Sequence, residues 1–163
     1  MKAQSTIIAM VLILIVFVSV MIFLLSMMIS QQYVAQTKSL EMKRFASNLL
    51  TSLLRMDTDC GKVSDMIKGA FDSTYCVGLG GCDCENFVRT RIDPYVKRLL
   101  NETGYTNLRY TITIEPESLY TRKIDIGDTI SEKELRRAWS ARTRLNLYNT
   151  NLNVRIYMVE SKY

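Results

Sequence analysis

The chain reads as an α+β protein built on one long N-terminal helix, and three observations carry that reading. Thr6–Ile29 is a run of roughly two dozen residues without a charged side chain, which at about 1.5 Å per residue spans a hydrocarbon core of about 30 Å. From Gln31 to Asp57 there is no Pro or Gly, and apolar residues recur at three- and four-residue steps. Beyond Leu108 the period shortens to two, as in half-buried strands. Residues 1–30 are therefore expected to form a transmembrane signal-anchor helix, 31–57 an amphipathic extension of it, and 58–163 a small helical and antiparallel β-sheet head.

Each element follows from local chemistry. In the anchor, Phe17 and Phe23 face lipid or neighbouring helices, Tyr33 lies near the interface, and Met21, Met27 and Met28 are lipid-facing or packing residues, not a metal path. In the extension Met42, Phe45, Leu49, Leu53 and Met56 form the stripe that the sheet is expected to cover, while Lys43, Asn48, Thr51 and Ser52 face elsewhere. Asp57-Thr58-Asp59-Cys60-Gly61 stops the helix with turn-forming residues. A short helix follows at Lys62–Phe71, burying Val63, Met66, Ile67 and Ala70. Thr74–Cys84, rich in glycine and cysteine, is expected to be an irregular crosslinked loop.

Glu85–Thr103 returns to helical spacing, with Phe87, Val88, Ile92, Tyr95, Val96, Leu99 and Leu100 on one face, Pro94 as a candidate kink at Asp93, and Gly104 as the stop. Leu108–Glu115 alternates as a strand closed by Pro116, Thr121–Ile126 is a short edge strand, and Gly127-Asp128 is a turn. Ser131–Trp139 is either a helical turn capped by Ser131 or an irregular approach to the next strand. Ala141–Tyr148 and Asn153–Val159 close the chain as a hairpin through Asn149-Thr150-Asn151, residues that tolerate left-handed geometry.

Composition removes several function classes. There is no histidine, the commonest general base and neutral metal ligand, so most hydrolase triads are excluded. The net charge of +5 comes from scattered charges of both signs, without the dense basic stripe or module of a nucleic-acid binder. Lipid head groups are the better partner for such excess charge. Asp57 with Asp59, and Glu115 with Glu117, read as turn or surface groups, not a catalytic pair. Gly78–Gly81 lacks the lysine and hydroxyl of a phosphate cradle, and no small-molecule substrate or cofactor is indicated.

The chemistry concentrates in four cysteines, Cys60, Cys76, Cys82 and Cys84. Their spacing does not match paired zinc knuckles, nor the two-residue spacer of a redox dithiol, so no metal site is expected and disulfides are. A bond between Cys82 and Cys84 would close a very small ring, so both are expected to pair outward with Cys60 and Cys76, in either combination. Disulfides form outside the cytosol, which puts the N-terminus inside and the head outside; the basic flanks Lys2 and Lys38, Lys43, Arg44 do not decide it. Asn101-Glu102-Thr103 is a candidate glycosylation sequon compatible with that side.

Lys2-Ala3-Gln4-Ser5-Thr6, followed at once by the apolar run, resembles the class III signal peptide of archaeal type IV pilin-like proteins, including archaellins and adhesion pilins. The resemblance covers about thirty residues and the plan of a long helix followed by a β-rich head. It implies a short basic leader carrying Lys2, cut on the cytoplasmic side between Ala3 and Gln4, with the helix left attached and like subunits as its partners. Many members carry a glutamate early in the helix, where this chain has Ile7, Ile8 and Ala9. Ala9, Ser19 and Ser26 are the small residues available for close helix packing.

The leading expectation is thus a non-enzymatic, membrane-anchored structural or assembly subunit, single-pass and reaching the cell surface. The rival is a bitopic protein whose head binds a partner in an envelope complex without polymerising. A tethered enzyme ranks third, because no nucleophile, base and oxyanion donor converge in the chain.

Overall fold

The structure, a computed structural model, describes residues 2–77, 82–117, 122–148 and 150–161, with the side chains of all these except residues 2–9, 75 and 77. Gly78–Gly81, Thr121 and Asn149, on which some expectations fall, lie outside the described residues. Two compact units divide the chain, residues 1–41 and 42–163. The architecture is α+β, as the periodicities predict.

Helix α1 runs unbroken over Lys2–Arg55, 54 residues. From Met10 onward its portion in the first unit exposes its large apolar side chains all round. In the second unit, Met42, Ala46, Leu49, Leu50, Leu53 and Leu54 are buried and Phe45 and Met56 half-buried, while Lys43, Asn48, Thr51 and Ser52 remain exposed. The unit boundary therefore falls at residue 42, where the helix first gains a core to bury against, and the outer helix belongs to the head.

The helix stops two residues before Asp57, because Asp57–Thr58 and Gly61–Lys62 pair as a two-stranded hairpin, β1 and β2. Thr58 ties the turn: its Oγ1 donates to the Gly61 carbonyl at 2.6 Å and accepts from the Cys60 N–H at 3.2 Å. Helix α2, Val63–Phe71, buries Val63, Met66, Ile67 and Ala70 as their spacing predicts.

The expected irregular loop at Thr74–Cys84 requires correction, since Ser73–Val77 forms a short helix, α3. Asp72 starts it by accepting the Thr74 N–H at 2.9 Å, a local cap that the glycines and cysteines downstream obscured. Helix α4 spans Cys84–Glu102, with Asp83 Oδ1 accepting the Asn86 N–H at 3.0 Å. Pro94 removes one helical N–H donor but does not split α4, because Val88 and Ile92 before it and Val96 and Leu100 after it are buried on the same face.

The sheet has four antiparallel strands in the order β4-β3-β6-β5: β3 is Leu108–Pro116, β4 Ile124–Gly127, β5 Trp139–Leu147 and β6 Thr150–Glu160. The hairpin strands are longer than the alternation suggests, and the edge strand begins three residues later than Thr121. One sheet face is apolar. Tyr110, Ile112 and Ile114 of β3, Ile124 and Ile126 of β4, and Leu152, Val154, Ile156 and Met158 of β6 join one core with α1, α2 and α4. Between β4 and β5, Glu132–Leu135 forms a single helical turn, α5, where the Glu134 carboxylate accepts the Ser131 N–H at 2.9 Å and its hydroxyl at 2.7 Å.

Candidate functional site

The first candidate element is the apolar part of α1. Over Met10–Ile29 the large side chains are between 45 % (Val18) and 70 % (Ile13) exposed, so no face of this segment is reserved for a protein core. The Ser19 hydroxyl donates to the Ile15 carbonyl at 2.8 Å, which satisfies the group without water. Among the described residues one helix is long and apolar enough to cross a bilayer, it lies near the N-terminus, and it fits a single-pass membrane anchor. Ala3 and Gln4 lie within the backbone of α1, and their side chains are outside the described residues.

The second element is the crosslinked corner of the head. Cys82 is bonded to Cys60 and Cys84 to Cys76, which resolves the combination that spacing left open. No thiol remains free. One bridge ties the β1–β2 turn to the entry of α4, and the other ties α3 to the first residue of α4. Cys84 is only 2 % exposed, and α2 passes so close that a Cβ built on Gly69 would lie 2.5 Å from the Cys84 sulfur. The position must be glycine for the bridge to pack. An open cleft of about 490 Å³ beside the bridges is lined by Phe71, Asp83, Glu85 and Arg122 among others. Arg122 pairs with Glu85 and lies 6.0 Å from the Phe71 ring; its hydrogen bond, with that of Arg89, holds the Glu85 carboxyl below its usual range.

A third arrangement escaped the sequence reading. Tyr110, 1 % exposed in the first half of β3, donates its hydroxyl to Asp93 Oδ1 at 2.6 Å, and Lys97 Nζ lies 3.0 Å from Asp93 Oδ2. The sequence did hold a signal: an aspartate on the helix face between Ile92 and Val96 is out of place unless partnered. Burial pushes the Asp93 carboxyl up, but the hydrogen bonds from Tyr110 and Lys97 outweigh it and the net direction is down. Burial, then the bond to Asp93, pushes the Tyr110 hydroxyl far up, so it stays protonated and donating. A carboxyl with a depressed folded-state pKa stabilises the fold above its unfolded value of about 3.9, and that contribution is lost as pH falls through the folded value. Acid titration of the full chain is therefore expected to lower its unfolding midpoint below about pH 4, less steeply in Asp93→Asn. Tyr110→Phe should cost about 1–2 kcal/mol at neutral pH, read by denaturant unfolding; an unchanged midpoint would refute the tether.

The other acidic candidates are paired or lie at the surface. Glu115 pairs with Arg155 at 3.1 Å and Glu117 with Arg144 at 3.0 Å, while Asp57 and Asp59 are exposed at the β1–β2 hairpin. Asn101 is exposed in the last turn of α4, and the Thr103 hydroxyl donates to the Leu99 carbonyl at 2.7 Å. Among the described residues no three His, Cys, Asp or Glu side chains gather as a metal set. No protein-family model, curated protein or solved structure matches the chain, so a functional assignment has to come from its own residues.

Proposed function

We propose that the chain is a membrane-anchored extracytoplasmic structural or assembly subunit, similar in plan to archaeal pilin-like proteins. One observation carries the reading: a single helix is apolar and exposed all round over Met10–Ile29, then supplies Met42–Leu54 to the core of the head. Anchor and fold thus share one element. The two disulfides support a head outside the cytosol, since they persist in oxidising compartments. In this reading like subunits meet through the apolar helix, and the head supplies the exposed surface.

Lys2-Ala3-Gln4 ahead of the apolar run favours leader processing, whereas the lack of an acidic residue in the first turn of α1 favours the second reading, a bitopic protein that binds an envelope partner without polymerising. Mass analysis of membrane-extracted protein separates them. The subunit reading expects a mature chain beginning at Gln4 and filaments visible by electron microscopy of overexpressing cells. An intact Met1 with no filaments would overturn it and leave the permanent anchor.

A further inference from the structure

Among the described residues strand β5 stands at the open edge of the sheet, paired with β6 on one side only. It is nine residues long, against four for β4 at the opposite edge. No turn or loop hydrogen bond among the described residues reaches the backbone of 140–147, so every second residue turns an unmatched N–H and C=O outward. The apolar face also stops short here. Leu152, Val154, Ile156 and Met158 of β6 are fully buried, whereas their β5 partners Leu145, Thr143, Ala141 and Trp139 are only half-buried.

The other face of the same edge is basic. Arg142 and Arg144 project beside each other in the alternation, and Arg142 sits directly opposite Arg155 across the β5–β6 pair. Like charges so placed repel. Arg155 is offset by Glu115 and Arg144 by Glu117, but the guanidinium of Arg142 meets no carboxylate among the described residues, nor do those of Arg136 and Arg137 just ahead of the strand. A second copy is a poor occupant: two β5 strands paired about a two-fold axis set arginine against arginine.

We propose that the β5 edge is a docking site for an extended segment of a partner protein in which acidic and apolar residues alternate. Added as a fifth strand, such a segment would match the outward N–H and C=O groups of β5, set carboxylates beside Arg142 and Arg144, and extend the apolar face beyond Ala141 and Leu145. The backbone ladder and the apolar rim distinguish this occupant from an acidic polysaccharide, which could use only the charges. The inference concerns the head and holds whether or not the leader is cut.

The test uses the full chain in lipid nanodiscs and a capped nonapeptide alternating glutamate with valine. Binding is read by fluorescence anisotropy and by hydrogen exchange of the amides of 139–147. The expected result is binding with slowed exchange in β5, weakened about tenfold by Arg142→Glu with Arg144→Glu, both exposed positions. The same peptide N-methylated at alternate residues, which leaves the protein untouched, should bind at least tenfold more weakly, as about 1.4 kcal/mol or more of ladder bonding is removed. Equal binding of the methylated peptide, equal competition by polyglucuronate, unchanged exchange in β5, or indifference to the arginine reversals would each overturn the proposal.

Discussion

Reducing both disulfides is expected to lower the unfolding free energy of the head by roughly 4–6 kcal/mol. The Cys60–Cys82 bridge spans 22 residues and Cys76–Cys84 spans 8. The loop-closure relation gives roughly 3.4 kcal/mol for the first and roughly 2.5 for the second. Cys76 lies inside the first loop, so the two restrict overlapping stretches of chain and their sum is an upper value. Against a typical domain stability of about 5–15 kcal/mol, the loss would leave the reduced head marginal. Trp139 is the sole tryptophan and is half-buried in the head, so its fluorescence follows this unfolding without interference from the anchor. Denaturant titrations with and without reductant should show the midpoint collapse. Replacing Cys60 and Cys82 by Ser should cost more than replacing Cys76 and Cys84, and a reversed order would contradict the loop-length account.

Gly127→Ala is expected to destabilise the head by roughly 2–5 kcal/mol. Gly127 ends β4 with φ of +100°, where an L side chain is strained by about 1–2 kcal/mol. A Cβ there would also lie 2.6 Å from the Tyr110 carbonyl oxygen and 2.8 Å from Tyr110 Cε2. Neither neighbour can give way. The Tyr110 carbonyl accepts the Asp128 N–H at 2.8 Å, and the ring is held by its hydroxyl on Asp93. The substitution should therefore loosen the Tyr110–Asp93 tether as well as the turn, adding about 1–3 kcal/mol of overpacking to the backbone strain. The Trp139 fluorescence midpoint measures the total, and a shift no larger than that of Tyr110→Phe would show that the turn relaxes freely.

Much of the fold could be read from local patterns because local physics produces them. Val63, Met66, Ile67 and Ala70 share one side of α2 by the geometry of 3.6 residues per turn, and alternation placed Tyr110, Ile112 and Ile114 on the buried face of β3. What escaped were features that neighbouring turn-forming residues obscured or that a segment distant in sequence decided. The turn at α3 depends on Asp72 capping and on a bridge to Cys84, and Pro94 leaves α4 whole because the core grips that helix on both sides. Asp93 needs a partner at its place on α4, and that partner, Tyr110, lies 17 positions away on β3.

The bare sequence dictates an apolar helix able to cross a bilayer, a late antiparallel sheet, and four cysteines whose two close members have to bond elsewhere, since each follows from side-chain chemistry over a few turns or a few residues. The partner of each cysteine, the tethering of Tyr110 to Asp93, and the exposure of β5 as a basic edge came only with the tertiary structure. Those properties depend on which segments lie side by side, and strand order and helix packing set that through contacts no short stretch of chain contains.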